Sequence, residues 1–496
     1  MLMPSIHNAL YTVDQVRRID RRAIEVGAIP RFELMRRASM AAFASLRRRW
    51  PDAQRVLVVA GPGNNGGDAF LLADLARSAG MAVTVVASSH QSKDDALTAR
   101  ELWREGGGEI LIADPQARLP DADILVDGLF GTGISRPPSA AAEALIGRMN
   151  AFAGRRLALD VPSGLDADCG MARGAVFHAD ATISFVGWKR GQFTADAVDC
   201  CGDLELDTLG IPYSVFAGAE GDARLLDASI VFLLPSRLRN VNKGRFGHVL
   251  AIGGDTGMGG AIRLAAEAAL RSGAGLVSVA TRAEHVAAIN SARPELMVHA
   301  VDGPQSIEAL IERCSVIALG PGLGQRAWGH AHWDRAMRST RPLVIDADAL
   351  NLLARDERSL PTGSILTPHP GEAARLLRCD IAAIQSDRFA AARELARRFA
   401  AVVVLKGAGS LVADQDGQVA LCPFGNPGMA SAGMGDVLTG VIAGVRAQGL
   451  DAWDAARIGV LVHAMAGDRA AAGCPRGLVA SDLFAPLRDC LNSRPA

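Results

Sequence analysis

Lysine is nearly missing from this 496-residue chain: only Lys93, Lys189, Lys243 and Lys406 stand among its 52 basic residues, so arginine is the default surface cation. A lysine kept against that bias marks a place where a compact ammonium is wanted. Lys189 lies in GWKRGQFT, Lys243 in NKGRFG and Lys406 in LKGAGS, all Gly-flanked segments at strand ends or turns. Net charge is missing too; a formal value of -1 gives no global electrostatic case for nucleic acid or an anionic membrane, so any anion must be recognised locally. No apolar run approaches the roughly 20 residues of a membrane span, and MLMPSIHNALYTVDQVRR lacks the basic, apolar, small order of a signal peptide. A cytoplasmic protein is expected. The eight cysteines form no CxxC pair or spaced framework, which excludes a zinc ribbon or a disulfide scaffold, and no Walker A motif occurs.

What is present is 53 glycines within a composition that is 49% hydrophobic, on a chain too long for one ordinary core. Thr12 to Gln15 reads as a capping box opening a helix with Val13, Val16, Ile19 and Ala23 on its apolar face, and a second helix is expected over 35–50. From Arg55 the runs RVLVVAG, MAVTVVAS, ADILVDGLFG, RLALDVPSG and ATISFVG alternate with helical segments. Strands apolar throughout and separated by helices mean a parallel sheet covered on both faces. The periodicity weakens after CGDLELDTLGIP, then GHVLAIGG, GLVSVAT, SVIALGPG, PLVIDAD, SILTPHP, AVVVLKGAG and QVALCPFG begin a second series. We therefore expect two doubly wound α/β domains, over 1–218 and 219–496, fused rather than repeated.

The most informative stretch is ALCPFGNPGMASAGMGDVLTGVIAG, where a Gly-rich turn opens an apolar helix with Asp436 in its first turn. Free N–H groups at a helix start attract a phosphate, Gly433 and Gly435 allow close backbone approach, and Asp436 stands where a hydroxyl proton could be taken. The turn resembles the Gly-Ala-Gly-Asp of the ribokinase-like superfamily, with Met434 in place of Ala. Together with NKGRFGHVLAIGG, GPGLG (320–324), DADALN (346–351), TPHPGE (367–372) and LKGAGS (405–410), it resembles the NAD(P)H-hydrate dehydratase family. The resemblance implies that Ala261, Gly322, His369 and Asp436 line a hydrate pocket, and that Lys406, Gly407, Ala408, Gly409, Ser410 and Gly435 hold an adenine nucleotide. Asp346 and Asn351 would orient its phosphates or their magnesium ion.

GPGNNGGD (61–68) fits G-x-G-x-x-G after a strand, yet the next strand closes in Ser88, Ser89 and His90 without the ribose-binding acid of an NAD-binding site. With VDGLFGTGIS (126–135) and LDVPSGLDAD (159–168) it instead resembles the NAD(P)H-hydrate epimerases and the related apolipoprotein A-I-binding proteins. That resemblance implies a potassium ion on Asn65, Asp127 and Ser163, and a substrate held by Asn64, Asn65, Gly66, Gly67 and Asp68 with Gly131, Thr132, Gly133, Ile134, Ser135, Arg136 and Pro137. Relatives often carry a lysine after that loop, where this chain has Arg136. Asp160 is the candidate acid/base, on the expectation that Val161 and Pro162 keep the chain extended and aim its carboxylate into the crevice; the other reading is a carboxylate satisfying loop amides.

Both resemblances imply a repair pair acting on hydrated NADH and NADPH. The first domain equilibrates the R and S epimers at C6, and the second dehydrates S by phosphorylating the hydroxyl, releasing phosphate and AMP if ADP is the donor. ADP is favoured over ATP because a Lys-poor two-domain fusion looks prokaryotic. A homo-oligomer binding only small molecules is expected, with neither nucleic acid nor membrane as partner. Two other readings are a ribokinase-like small-molecule kinase fused to a nucleotide-binding module, and a first half that only binds.

Overall fold

The structure is a computed structural model that describes residues 6–114, 117–134 and 136–492. Its contacts divide the chain into two compact units, Met1–Arg224 and Leu225–Ala496.

The first unit opens with α1 (Val13–Glu25), whose Thr12–Gln15 capping box forms as the sequence suggests. Helix α2 (Arg31–Arg49) starts four residues before the expected position because Pro30, a residue that cannot donate inside a helix, serves as its N-cap. The sheet consists of β1 (Arg55–Ala60), β2 (Ala82–Ala87), β3 (Ile110–Ile112), β4 (Ile124–Gly128), β5 (Arg155–Leu159), β6 (Ala181–Phe185) and β7 (Asp203–Asp207). All are parallel, in the order β3-β2-β1-β4-β5-β6-β7. The order reverses between β1 and β4, and a ligand crevice opens beyond the strand ends at such a switch point. Helix α3 (Asn64–Ser78) begins at Asn64, so NNGGD belongs to the helix. Its glycines serve close packing: a Cβ on Gly66 would stand 1.9 Å from Gly61 O, and one on Gly67 2.6 Å from Met35 Cε. A separate pairing sets Leu10 and Tyr11 parallel to Trp188 and Lys189, and Leu10 antiparallel to Ala223.

The second unit repeats the plan with β8 (His248–Ile252), β9 (Leu276–Thr281), β10 (Met297–Ala300), β11 (Val316–Leu319), β12 (Leu343–Ile345), β13 (Ile365–Leu366) and β14 (Val402–Leu405). They run parallel in the order β10-β9-β8-β11-β12-β13-β14, extended by antiparallel β15 (Ser410–Ala413) and β16 (Val419–Cys422). Helix α4 (Gly259–Arg271) packs on α5 (Met434–Ala447) through glycines. A Cβ on Gly440 would come 2.0 Å from Ala265 O, and one on Gly444 2.5 Å from Ala269 O. Being apolar on nearly every side, α5 is buried along almost its whole length, which fixes the position of its N-terminal turn.

Candidate active sites

At the switch point of the first unit lies a cavity of about 1290 Å³. Its walls include Asn64, Asn65 and Asp68 of α3; Gly131, Thr132, Gly133, Ile134, Arg136 and Pro137 after β4; Asp160 after β5; and Lys189. Ser135 lies outside the described residues, and Gly66 and Gly67 are in the packed first turn of α3 rather than in the walls. A wall that sequence motifs do not announce is α1, which presents Arg17, Asp20, Arg21 and Ile24 at helical spacing.

Asp160 is not extended, as Val161 and Pro162 had suggested; its φ is 64°. Asp160 N donates to Ile183 O at 2.7 Å and Val161 N to Leu159 O at 2.8 Å, which closes a three-residue turn around Asp160. The next strand ends the same way: Val186 has φ 69° and Gly187 N donates to Phe185 O at 2.8 Å. Positive φ at a β-branched residue costs on the order of 1–3 kcal/mol, and two such turns on adjacent strands focus that strain on one carboxylate. Lys189 is 1% exposed, and its ammonium donates to Asp160 Oδ1, to Ser184 Oγ at 3.1 Å and to Phe185 O at 2.8 Å. Gln192 completes the frame, donating to Asp160 O at 2.9 Å while accepting from Lys189 N at 3.0 Å. The scarcity of lysine was the one sequence signal for this arrangement; Ser184, Gln192 and Asp20 gave none.

Asn65, Asp127 and Ser163 come together beneath this site. Ser163 Oγ donates to Asp127 Oδ1 at 2.6 Å, Asp127 Oδ2 accepts from Ser163 N at 2.8 Å, and Phe130 N donates to Ser163 Oγ at 2.8 Å. Asn65 Nδ2 donates to Phe130 O at 2.8 Å, whereas Asn65 Oδ1 is buried without a partner among the described residues. Burial pushes the Asp127 carboxyl up to about 6 against the hydrogen bonds from Ser163.

In the second unit, Asp436 occupies the first turn of α5 behind Gly433, which has φ 88°. Burial, then the charge of Asp346, pushes Asp436 up to about 7. Asp346 caps α6 (Ala347–Arg355), and its Oδ1 accepts from Thr367 Oγ1 at 2.9 Å and from Lys406 Nζ at 2.6 Å. A second carboxylate, Glu372, stands 3.8 Å from that ammonium. Although burial alone would lower it, Asp346 and Glu372 hold Lys406 above its ordinary range. A Cβ on Gly435 would sit 3.3 Å from Lys406 Nζ and 3.5 Å from Asp346 Oδ2, so the glycine keeps open the space before both. The turn after Lys406 is pinned from behind by buried Arg388, which reaches Leu405 O, Lys406 O and Gly409 O, each at 3.4 Å. Ser410 Oγ closes the same turn, donating to Gly407 O at 3.0 Å.

Ala261 and Gly322 are neighbours, since a Cβ on Gly322 would meet that of Ala261 at 3.2 Å. His369 is exposed and already engaged, its Nδ1 accepting from Gly371 N at 3.0 Å as the cap of a short helix. The buried half of its ring, then the charge of Lys406, holds it below the ordinary histidine range. Asn351 lies within α6 and shows no side-chain hydrogen bond among the described residues. His463, which the sequence did not flag, donates from buried Nε2 to Met434 O at 3.0 Å, and burial lowers it to about 4. It braces the turn that carries Asp436.

Comparison with known proteins matches residues 249–487 to the NAD(P)H-hydrate dehydratase family and 31–191 to the family of the YjeF-related protein N-terminus. The bifunctional NAD(P)H-hydrate repair enzyme of Coxiella burnetii is 46% identical over 97% of this chain and 99% of its own length. That of Escherichia coli K12 is 43% identical over 98% and 95%. A ribokinase-like superfamily protein of Enterococcus faecalis is 29% identical, covers 54% of this chain and 95% of its own, and superposes with a TM-score of 0.51. With two family models in this order and such relatives over nearly its whole length, the chain belongs to the bifunctional NAD(P)H-hydrate repair enzymes.

Proposed function

We propose that the first unit epimerises hydrated NADH and NADPH at C6 and that the second dehydrates the S epimer at the expense of a nucleotide. The observation that carries this reading is that each unit sets one carboxylate near a lysine: Asp160, after β5, with Lys189, and Asp436, in the first turn of α5, with the Lys406–Asp346 pair. A substrate hydroxyl beside a ring nitrogen leaves through an iminium-like cation. Asp160 stabilises that cation and moves the proton, held in place by Lys189 and Gln192. The loop with Gly131–Ile134, Arg136 and Pro137 and the start of α3 surround the dinucleotide.

In the second unit Asp436 accepts the C6 hydroxyl proton as that oxygen attacks the terminal phosphoryl group of ADP, with ATP as the alternative donor. AMP leaves; the ring-nitrogen lone pair then forms a C=N⁺ bond as phosphate is expelled from C6 with the C–O electron pair, and loss of the C5 proton to solvent re-forms the dihydronicotinamide. Lys406 and the amides of Gly407 to Ser410 with Gly435 hold the phosphates, and Ala261, Gly322 and His369 border the hydrate. Among the described residues no three His, Cys, Asp or Glu side chains converge as metal ligands. The donor set therefore fits magnesium carried in on the nucleotide, with Asp346 as its protein carboxylate.

The potassium assignment fits the first unit. Asn65 Oδ1 is an orphaned buried acceptor beside one carboxylate and one hydroxyl, an all-oxygen set of low charge suited to a hard monovalent cation. It would supply positive charge next to Asp127, whose ionisation burial otherwise opposes. A cytoplasmic homo-oligomer acting only on small molecules completes the reading; no described helix is long and apolar enough to cross a membrane. The test is Asp160→Ala with an R and S mixture and ADP. Expected is a fast phase at the wild-type rate, then a slow one at the spontaneous epimerisation rate and independent of enzyme concentration. A single wild-type phase would leave Asp160 as a loop-capping carboxylate.

A further inference from the structure

The cavity of the first unit contains more carboxyl groups than Lys189 can serve. Asp160 after β5, Asp68 of α3 and Asp20 of α1 all line it, while the three N–H groups of Lys189 are taken by Asp160, Ser184 and Phe185. Asp20 has neither a hydrogen bond nor an ion pair among the described residues, although it projects from the cavity-facing stripe of α1 between Arg17 and Arg21. The charged groups near it are Lys189, Asp160 and Arg31, with Asp68 also in reach, and Arg31 is paired with Asp95 at 3.0 Å. Burial first, against the pull of Lys189, raises Asp20 to about 6, and burial raises Asp68 well above the carboxylate range. Asp20 can thus both give and take a proton near neutral pH.

Inverting C6 needs two proton transfers, one on each face of the ring, because the hydroxyl leaves from one side and water returns to the other. We propose that Asp20 is the second acid/base of the epimerase site, serving the ring face that Asp160 does not reach; this rests on the assignment of Asp160 above. Protonated Asp20 donates to the departing hydroxyl, the C–O bond breaks with its electron pair leaving on water, and the ring nitrogen lone pair forms the C=N⁺ bond. Water then adds to the opposite face, its oxygen pair making the new C–O bond and its proton passing to Asp160. The reverse conversion exchanges the two roles, and solvent in the open cavity resets both protons. Asp68, in the second turn of α3 and more deeply buried, is less able to follow substrate and solvent.

The test uses the full chain without nucleotide, so that only epimerisation runs, and each purified epimer labelled with ¹⁸O at C6. Label washout and inversion are followed together, after subtraction of the spontaneous rates. In Asp20→Asn, the epimer whose hydroxyl faces Asp160 should still exchange its oxygen within about threefold of wild type, while its inversion falls about 100-fold or more. The other epimer should do neither. Asp160→Asn should show the mirror pattern, and Asp20→Glu, which keeps the acid, should retain most of the inversion that Asp20→Asn loses. Inversion within threefold of wild type in Asp20→Asn overturns the proposal, as does equal loss of exchange and inversion for both epimers with a lowered melting temperature. If Asp160→Asn inverts normally while Asp20→Asn shows the asymmetry, the Asp160 assignment fails and that of Asp20 stands.

Discussion

Replacing Asp436 by Asn should abolish dehydration while making the fold more tolerant of alkali. The amide cannot accept the hydroxyl proton, so turnover should fall about 100-fold to 10,000-fold. The stability effect follows from the carboxyl's rise from 3.8 to about 7, caused by burial and by Asp346. A group that binds its proton more tightly folded than unfolded costs the folded chain stability as pH climbs from about 4 to about 7. Three pH units at about 1.36 kcal/mol each set a ceiling of about 4 kcal/mol, which partial exposure and coupling to Lys406 reduce to about 1–2 kcal/mol. The variant should therefore melt about 2–8 °C above wild type at pH 8 and level with it at pH 4, for a unit of this size. Nucleotide binding, measured by calorimetry, should persist. Wild-type dehydration should rise with pH around 7, where the base ionises. Near-normal turnover, or equal melting temperatures at pH 8, would remove the buried-base argument.

Lys189→Met should destabilise the first unit by about 3–5 kcal/mol and depress epimerisation, since it leaves Asp160 in its pocket without its cation; an unchanged melting temperature would refute this. Gly435→Ala should raise the KM for nucleotide tenfold or more with little loss of fold, because the methyl group enters the space before Lys406 and Asp346; kinetics at saturating hydrate would show it. Chains ending at Arg224 or beginning at Leu225 should each fold and keep one activity, and activity found only in the intact chain would count against two independent cores. Exchanging potassium for lithium should slow epimerisation and leave dehydration unchanged if Asn65, Asp127 and Ser163 hold the cation.

The apolar strands were legible because burial on both faces writes a continuous hydrophobic run, as in RVLVVA and HVLAI. Edge strands were not: Asp203–Asp207 reads DLELD, whose alternating acids interrupt any apolar run and of which Glu205 is engaged by Ser45 and Arg48 of α2, and Ile110–Ile112 is only three residues long. The motif carboxylates could be found because Asp127 stands at the end of a strand, Asp160 just after one and Asp436 after a Gly-rich turn. Asp20 and Gln192 could not, since a helix residue and a 3-10 turn residue reach the site only through tertiary packing. Nor was the turn at Asp160 legible, because its positive φ goes with a local Val161 N to Leu159 O bond and with pairing of Asp160 N to Ile183 O of the neighbouring strand, neither of which Val161 and Pro162 announce.

The seam of glycines between α4 and α5 has a meaning for harm at a distance. Gly444 is eight residues from Asp436, about 12 Å along the helix at about 1.5 Å per residue, and touches no reacting group. Yet an added methyl at Gly440 or Gly444 would collide with the backbone of α4, and a buried helix relieves such a collision by sliding or tilting as a rigid rod. The carboxylate at its tip would be carried along, so the aim of the base is calibrated by residues the substrate never meets. Variation at these small, chemically silent positions should therefore imitate an active-site lesion, with turnover lost before the protein unfolds.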